Sequence, residues 1–235
     1  MRGFTHFFVQ NEASQNLLFS IGVKQVSVTG DTRFDRVNLS NEKLAFMEEF
    51  LTKRQCIIAG SVWPEDLNIL KESIANTPAG WCWLIAPHEI NGKIIKILAD
   101  NLPTKSQRYS TIDHSTVAQA PVLVLDTVGL LSACYKYGQV AYVGGGMGTK
   151  GLHNVLEPAA SGIPIVIGKN YDRFPEAVEL IQLGGILSIS SQHEAKKNLL
   201  KLMQDNKIRK EKGDINQRYI QANIGATKRI LDLLD

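Results

Sequence analysis

Residues 143–158 read Val143-Gly144-Gly145-Gly146-Met147-Gly148-Thr149-Lys150-Gly151-Leu152-His153-Asn154-Val155-Leu156-Glu157-Pro158, and this stretch decides the fold. An apolar run, Val140 to Val143, has the pattern of a buried strand and ends in a glycine loop. Glycines lack the Cβ atoms that would hold a ligand away from the backbone, so the loop predicts a close approach. A helix beginning near Asn154 would point its unpaired N–H groups and positive dipole end back at the loop, and such a place binds anions.

Outward from this stretch, short apolar runs alternate with amphipathic segments. The predicted strands are His6 to Val9, Gln25 to Val28, Cys56 to Ala59, Trp83 to Ala86, Val122 to Leu125, Val140 to Val143, Ile163 to Ile167 and Ile186 to Ile189. Helical patterns fit between them. Ser40 is a candidate N-cap for a helix through Lys53, Pro64 opens another, and Pro175 opens a third that Gly184-Gly185 stops. From Ser191 onward the chain reads as two helices broken near Gly213. Strands alternating with helices predict an α/β fold, a Rossmann-like doubly wound parallel sheet.

Composition narrows the function classes. The chain has 235 residues, of which 44% are hydrophobic and 21% charged, enough to bury a full core. A net charge of +3 does not by itself nominate nucleic acid, and no interleaving of aromatic and basic residues supports such a partner. Cys56, Cys82 and Cys134 are scattered within or beside apolar stretches, as buried free thiols are, and no zinc spacing is present. No apolar run approaches the ~18 residues of a membrane span. There is no Asp-x-Asp pair, and neither a metal nor a cofactor is expected.

Polar residues 29–40 interrupt the alternation and read as a linker. They separate residues 1–28, a strand and helix too small for a domain, from a main unit over 41–235. Within the linker stands Gly30-Asp31-Thr32-Arg33-Phe34-Asp35. Together with Gly144-Gly145 and His153-Asn154-x-Leu156-Glu157-Pro158-Ala159-Ala160-x-Gly162-x-Pro164, in that order, it resembles the Kdo transferases of lipopolysaccharide synthesis, from about Phe8 to Leu187. Those are glycosyltransferases of the GT-B fold with two Rossmann-like domains.

The resemblance implies that the chain is the C-terminal half of a GT-B glycosyltransferase, with residues 1–28 left from an acceptor domain. The family moves Kdo from CMP-Kdo to a lipid A precursor with inversion, at the cytoplasmic face of the bacterial inner membrane, to which the intact enzyme would bind peripherally. Its catalytic base lies on the acceptor domain, so this chain alone should be soluble and inactive yet able to bind CMP-Kdo.

Site residues follow from the same resemblance. Arg33 matches the basic residue of the interdomain motif that stabilises the transition state. Its ordinary alternative is a linker arginine paired with Asp31 or Asp35. Glu157 matches the carboxylate that accepts ribose hydroxyls, and by spacing alone Asn154 could be an N-cap with Glu157 reaching back to it. Gly145, Gly146, Asn154, Val155 and Leu156 complete that element.

Pro87-His88 stands where the family has proline and arginine on the nucleotide. Histidine cannot grip a phosphate through a bidentate fork. Val128, Gly129 and Leu130 align with a turn whose backbone meets the cytosine, in a segment that continues as a helix from Leu130 to Tyr137. Ser61, with Trp63-Pro64-Glu65-Asp66, follows another strand, where an N-cap would equally explain it. Lys150, Lys169 and Arg173 are further cations for an anionic donor.

Two rivals come from other readings of the same residues. A UDP-sugar donor shares the Glu157 contact. Gly146-x-Gly148-x-x-Gly151 also fits a dinucleotide fingerprint with Asp172 about twenty residues on, which would make the chain an NAD-binding domain. A scaffold function would need no site at all.

Overall fold

A computed structural model describes residues 3–37 and 43–234. The chain divides into two units, one of Met1–Asn38 with Arg218–Asp235 and one of Leu39–Gln217.

The strands are β1 (Phe7–Val9), β2 (Val26–Val28), β3 (Gln55–Val62), β4 (Trp81–Pro87), β5 (Ser106–Arg108), β6 (Val122–Val124), β7 (Val140–Val143), β8 (Ile165–Gly168) and β9 (Ile186–Ile189). The helices are α1 (Glu12–Ser20), α2 (Ala45–Leu51), α3 (Pro64–Ala75), α4 (Gly92–Asn101), α5 (Leu131–Cys134), α6 (Leu156–Ala160), α7 (Pro175–Leu183), α8 (Gln192–Gln204), α9 (Asn206–Asn223) and α10 (Ala226–Leu231).

The larger unit carries a seven-stranded sheet in the order β5-β6-β4-β3-β7-β8-β9, with every pairing parallel. All seven residues of β4 are buried, as a strand covered on both faces requires. On one face Leu67, Leu70 and Ile74 of α3 and Ala195, Leu199 and Leu202 of α8 pack against Ile57, Trp83, Tyr142 and Val166. The alternate residues Ile58, Leu84, Leu123 and Ala141 are also fully buried, and strand alternation puts them on the opposite face. This is a doubly wound, parallel α/β fold. Strand order reverses between β3 and β7, so the crevice where such sheets collect ligands opens at the carboxyl ends of these two strands.

The smaller unit pairs β1 with β2 in parallel, Phe7 beside Val26 and Val9 beside Val28. Of the residues read as a linker, Thr29, Phe34 and Asp35 contact the C-terminal segment. Asp35 accepts N–H bonds from Gly225 (2.5 Å) and Thr227 (2.6 Å), and Arg229 donates Nε–H to the Thr29 carbonyl at 2.7 Å. Phe34 meets Tyr219 edge-on, with ring centroids 5.6 Å apart. Burial of Phe34 and this capping of α10 by Asp35 join residues 29–35 to the C-terminal segment within this unit, whereas the sequence reading kept 218–235 with the 41–235 span.

Other expectations shift. The edge strand β5 reads Ser-Gln-Arg and carries no apolar signal. Gly213 does not break a helix but lies inside α9, because a Cβ there would overlap the Gly162 carbonyl, so glycine permits that close packing. The breaks fall at Asp205 and at Gly225. The segment from Leu130 to Tyr137 is one α-turn, α5, followed by a 3-10 turn. Ser40 lies outside the described residues, and α2 starts at Ala45.

Candidate functional site

The crevice between β3 and β7 is organised by Asp66, the third residue of α3. Its carboxylate is fully buried and accepts from the Tyr142 hydroxyl (2.7 Å) and from the amides of Gly145 (2.9 Å) and Trp63 (2.9 Å). The Met147 amide bonds to it as well. Burial pushes the Asp66 carboxyl above its usual range, and the amide and hydroxyl donors oppose that shift. The Gly144 amide bonds to the Gly60 carbonyl at 2.9 Å.

This arrangement corrects the anion-cradle reading of the glycine loop. Of its first amides, that of Gly144 is taken by the Gly60 carbonyl and that of Gly145 by the internal Asp66 carboxylate, and its glycines serve close packing. A Cβ at Gly144 would overlap the Ser61 carbonyl, one at Gly145 the Gly151 carbonyl, and one at Gly168 the backbone of Gly146. Gly145 also has φ +91°, a left-handed conformation that glycine adopts without strain. The following helix, α6, is a single turn of 5 residues, too short to focus a dipole on a ligand.

Ser61 does not cap α3. The cap is Trp63, and Ser61 sits in a bulge of β3 with φ +53°, unusual for a residue bearing a Cβ. Pro87 ends β4, buried, and the following His88 is exposed. His88 stacks on Trp63 (centroids 4.3 Å, 24°) and on His153 (4.2 Å, 27°), while Trp63 donates Nε1–H to His153 Nε2 at 3.1 Å. That bond keeps Nε2 of His153 an acceptor. Burial, then the neighbouring His88, hold the His153 imidazole below its usual pKa. Lys150 Nζ lies 5.7 Å from the Trp63 ring centroid. The structure therefore gathers the ends of β3 and β4 and the loop after β7 into one stack.

Glu157 lies just after that loop. Asn154 is not the N-cap; that position falls to Val155, and the Asn154 side chain accepts from the Leu156 amide at 3.0 Å. Glu157, at the second helical position, receives side-chain hydrogen bonds from Asn154 and Ser132. Burial raises its carboxyl pKa and these donors counter part of the rise. Val155 and Leu156 are buried, so their side chains belong to the core and only their backbone could meet a ligand. Val128 is 83% exposed beside Gly129 at φ +89°, a turn that displays its main chain, and Leu130 caps α5.

Arg33 belongs to the smaller unit, where it is half-exposed and paired with Asp31, Nε–H to Oδ2 at 2.8 Å. The pairing named as its ordinary alternative is present. Among the described residues no group of three or more His, Cys, Asp or Glu could hold a metal, and no helix is long and apolar enough to cross a membrane.

The raised Glu157 pKa has a measurable sign. The folded state holds this proton more tightly than the unfolded chain, so its contribution is complete below pH 4.5 and is lost as pH rises through the folded pKa. Relative to Glu157→Gln, the parent protein should lose stability between pH 4.5 and 7. Urea unfolding at both pH values checks this, and a constant difference would contradict it.

No protein-family model matches the sequence. Among curated proteins, 3-deoxy-D-manno-octulosonic acid (Kdo) transferase of Haemophilus influenzae is 29% identical over 225 residues, covering 90% of this chain and 51% of that protein. Its counterpart in Bordetella pertussis is 25% identical over 248 residues, 100% of this chain and 57% of that protein. In sequence the chain is similar to these Kdo transferases. It spans about half the length of these relatives. The solved C-terminal CMP-Kdo binding domain of WaaA from Acinetobacter baumannii shares the fold, with a TM-score of 0.62 at 23% identity, over 76% of this chain and 99% of that one.

Sequence reasoning named Glu157, His88 and the turn at Gly129 as candidates but did not name the stack of Trp63 and His153. Its one local signal was the strand-end Trp63-Pro64 before an acidic first turn. Asp66, three residues after Trp63, has capping-box spacing, but nothing local pointed to Tyr142 or Gly145.

Proposed function

We propose that this chain binds CMP-Kdo as the donor-binding half of a Kdo transferase, the activity being transfer of Kdo to a lipid A precursor with inversion. Its relation to those transferases, with the His153-Asn154-x-Leu156-Glu157 element set at the carboxyl end of the sheet, carries this reading. Glu157 is an acceptor-only group when ionised and suits two vicinal ribose hydroxyls. Ser61 and Pro87-His88 stand at the carboxyl ends of β3 and β4, and in this reading the exposed turn at Val128-Gly129-Leu130 offers main-chain groups to the base. Gly145, Gly146, Asn154, Val155 and Leu156 shape the wall of the site through backbone.

Departure of CMP leaves negative charge on a phosphate while the sugar becomes oxocarbenium-like, and a cation placed there lowers the barrier. The motif resemblance gives that part to Arg33, which is paired with Asp31. The acceptor lipid, the proton-abstracting carboxylate and peripheral attachment to the inner membrane belong in this reading to the acceptor half.

Calorimetric titration with CMP, CMP-Kdo, UDP and NAD tests it. CMP and CMP-Kdo should bind, and Glu157→Ala should weaken CMP by about 10- to 100-fold, the loss of charge-assisted hydrogen bonds worth roughly 1.5–3 kcal/mol. Binding of NAD with none of CMP would overturn the assignment, and preference for UDP would change the donor.

A further inference from the structure

Beside the glycine loop, residues 148–151 and the segment 170–174 after β8 enclose a depression of about 350 Å³, lined by Gly148, Thr149, Asn170, Asp172, Arg173 and Phe174 among others. Its size falls in the range of ~300–1,000 Å³ typical of small-ligand sites. The two walls are tied together. Asn170 donates its amide N–H to the Gly146 carbonyl at 2.9 Å and its side-chain Nδ2–H to the Gly148 carbonyl at 2.8 Å. Gly168 packs directly on the Gly146 backbone, and the Phe174 ring lies 3.4 Å from where a Gly151 Cβ would be. The pocket is thus built on the carboxyl ends of β7 and β8 rather than on a free loop.

Its chemistry is mixed in a particular way. Arg173 has no ion-pair partner among the described residues, although Asp172 is its neighbour in the chain. A guanidinium presents a planar fork that matches a carboxylate. Asp172 and the Thr149 hydroxyl can accept from alcohols, and Phe174 supplies an apolar wall for C–H groups. A bare phosphate would gain nothing from Phe174 and would have no hydroxyls to donate to Asp172. A neutral sugar would leave the arginine unused.

We infer that this depression takes the acidic sugar of the donor, with Arg173 pairing with its carboxylate and Asp172 accepting from its hydroxyls. The inference rests on the donor-binding reading above and adds to it the residues that discriminate an acid sugar from a neutral one.

The test compares CMP with CMP-Kdo by calorimetry on the parent chain, Arg173→Ala and Arg173→Lys. The carboxylate contact predicts that Arg173→Ala weakens CMP-Kdo by about tenfold or more while CMP affinity stays unchanged, and that Arg173→Lys recovers only part of the loss. Equal weakening of CMP and CMP-Kdo would place Arg173 on the phosphate and overturn the inference. So would an Arg173→Ala variant that binds both as the parent does. If the parent chain binds neither CMP nor CMP-Kdo, the donor-binding reading itself fails. CMP bound normally with no Arg173 effect would leave that reading standing and remove only the acid-sugar subsite. Unchanged thermal unfolding of the variants separates these outcomes from misfolding.

Discussion

Gly144→Ala should destabilise the protein by about 3 kcal/mol or more, whereas Gly148→Ala, four residues on in the same loop, should cost less than about 1 kcal/mol. At Gly144 the new methyl would overlap the Ser61 carbonyl and crowd Asp66 Oδ2 at 2.8 Å, both held by the end of β3 and the start of α3. Backbone must move to admit it. At Gly148 the nearest neighbours are Glu65 side-chain atoms at 3.6 to 3.8 Å, ordinary contact with the flexible end of an exposed residue. Urea midpoints of the two variants decide between two explanations of the glycine run. Equal stability loss, or none at Gly144, would mean that the glycines there are not needed for packing.

Asp66→Ala should cost about 3–5 kcal/mol, because it strands the Tyr142 hydroxyl and the Gly145 and Trp63 amides without an acceptor in the interior. Asp66→Asn is the informative partner. Both amides bond to Oδ2, so an asparagine oxygen at that place can receive them while its NH2 group donates to the Tyr142 oxygen. It should stay within about 1 kcal/mol of the parent at acid pH, where the parent carboxyl is also neutral.

The pH dependence has a definite sign. Burial raises the Asp66 pKa in the folded state, so the parent protein loses stability relative to Asp66→Asn as pH rises from 3.8 through the folded value. Denaturation of the three proteins at two pH values checks both the size and the slope. An alanine variant as stable as the parent would remove Asp66 from its place as the organiser of the crevice. The same variant should also disturb donor binding, since the start of the glycine loop hangs on this carboxylate.

Much of the architecture was legible from the chain because each buried strand declares itself locally. Val140–Val143 and Ile186–Ile189 appear with the bounds that periodicity predicts. Pro64 and Pro175 open α3 and α7 because their missing N–H groups cost nothing in a first turn. What failed had a physical reason in each instance. β5 is a three-residue edge strand whose pairing to β6 needs no apolar face. Gly213 read as a breaker because its helical role depends on the Gly162 carbonyl far away in sequence.

The candidate site divides the same way. The order of residues from Gly30 to Pro164 was enough to show a resemblance to the Kdo transferases, and Glu157 was named through that resemblance, since its spacing alone suggests a cap. The sequence alone determined an alternating parallel α/β sheet and a loop that must be rich in glycine, since strand burial and positive backbone angles leave marks within a few residues. Only the tertiary structure decided what the loop faces. Tyr142, Gly145 and His153 meet Asp66 and Trp63 across separations of 76, 79 and 90 residues. Such contacts arise because parallel strands bring distant loops to one edge of the sheet, a proximity that no local period records.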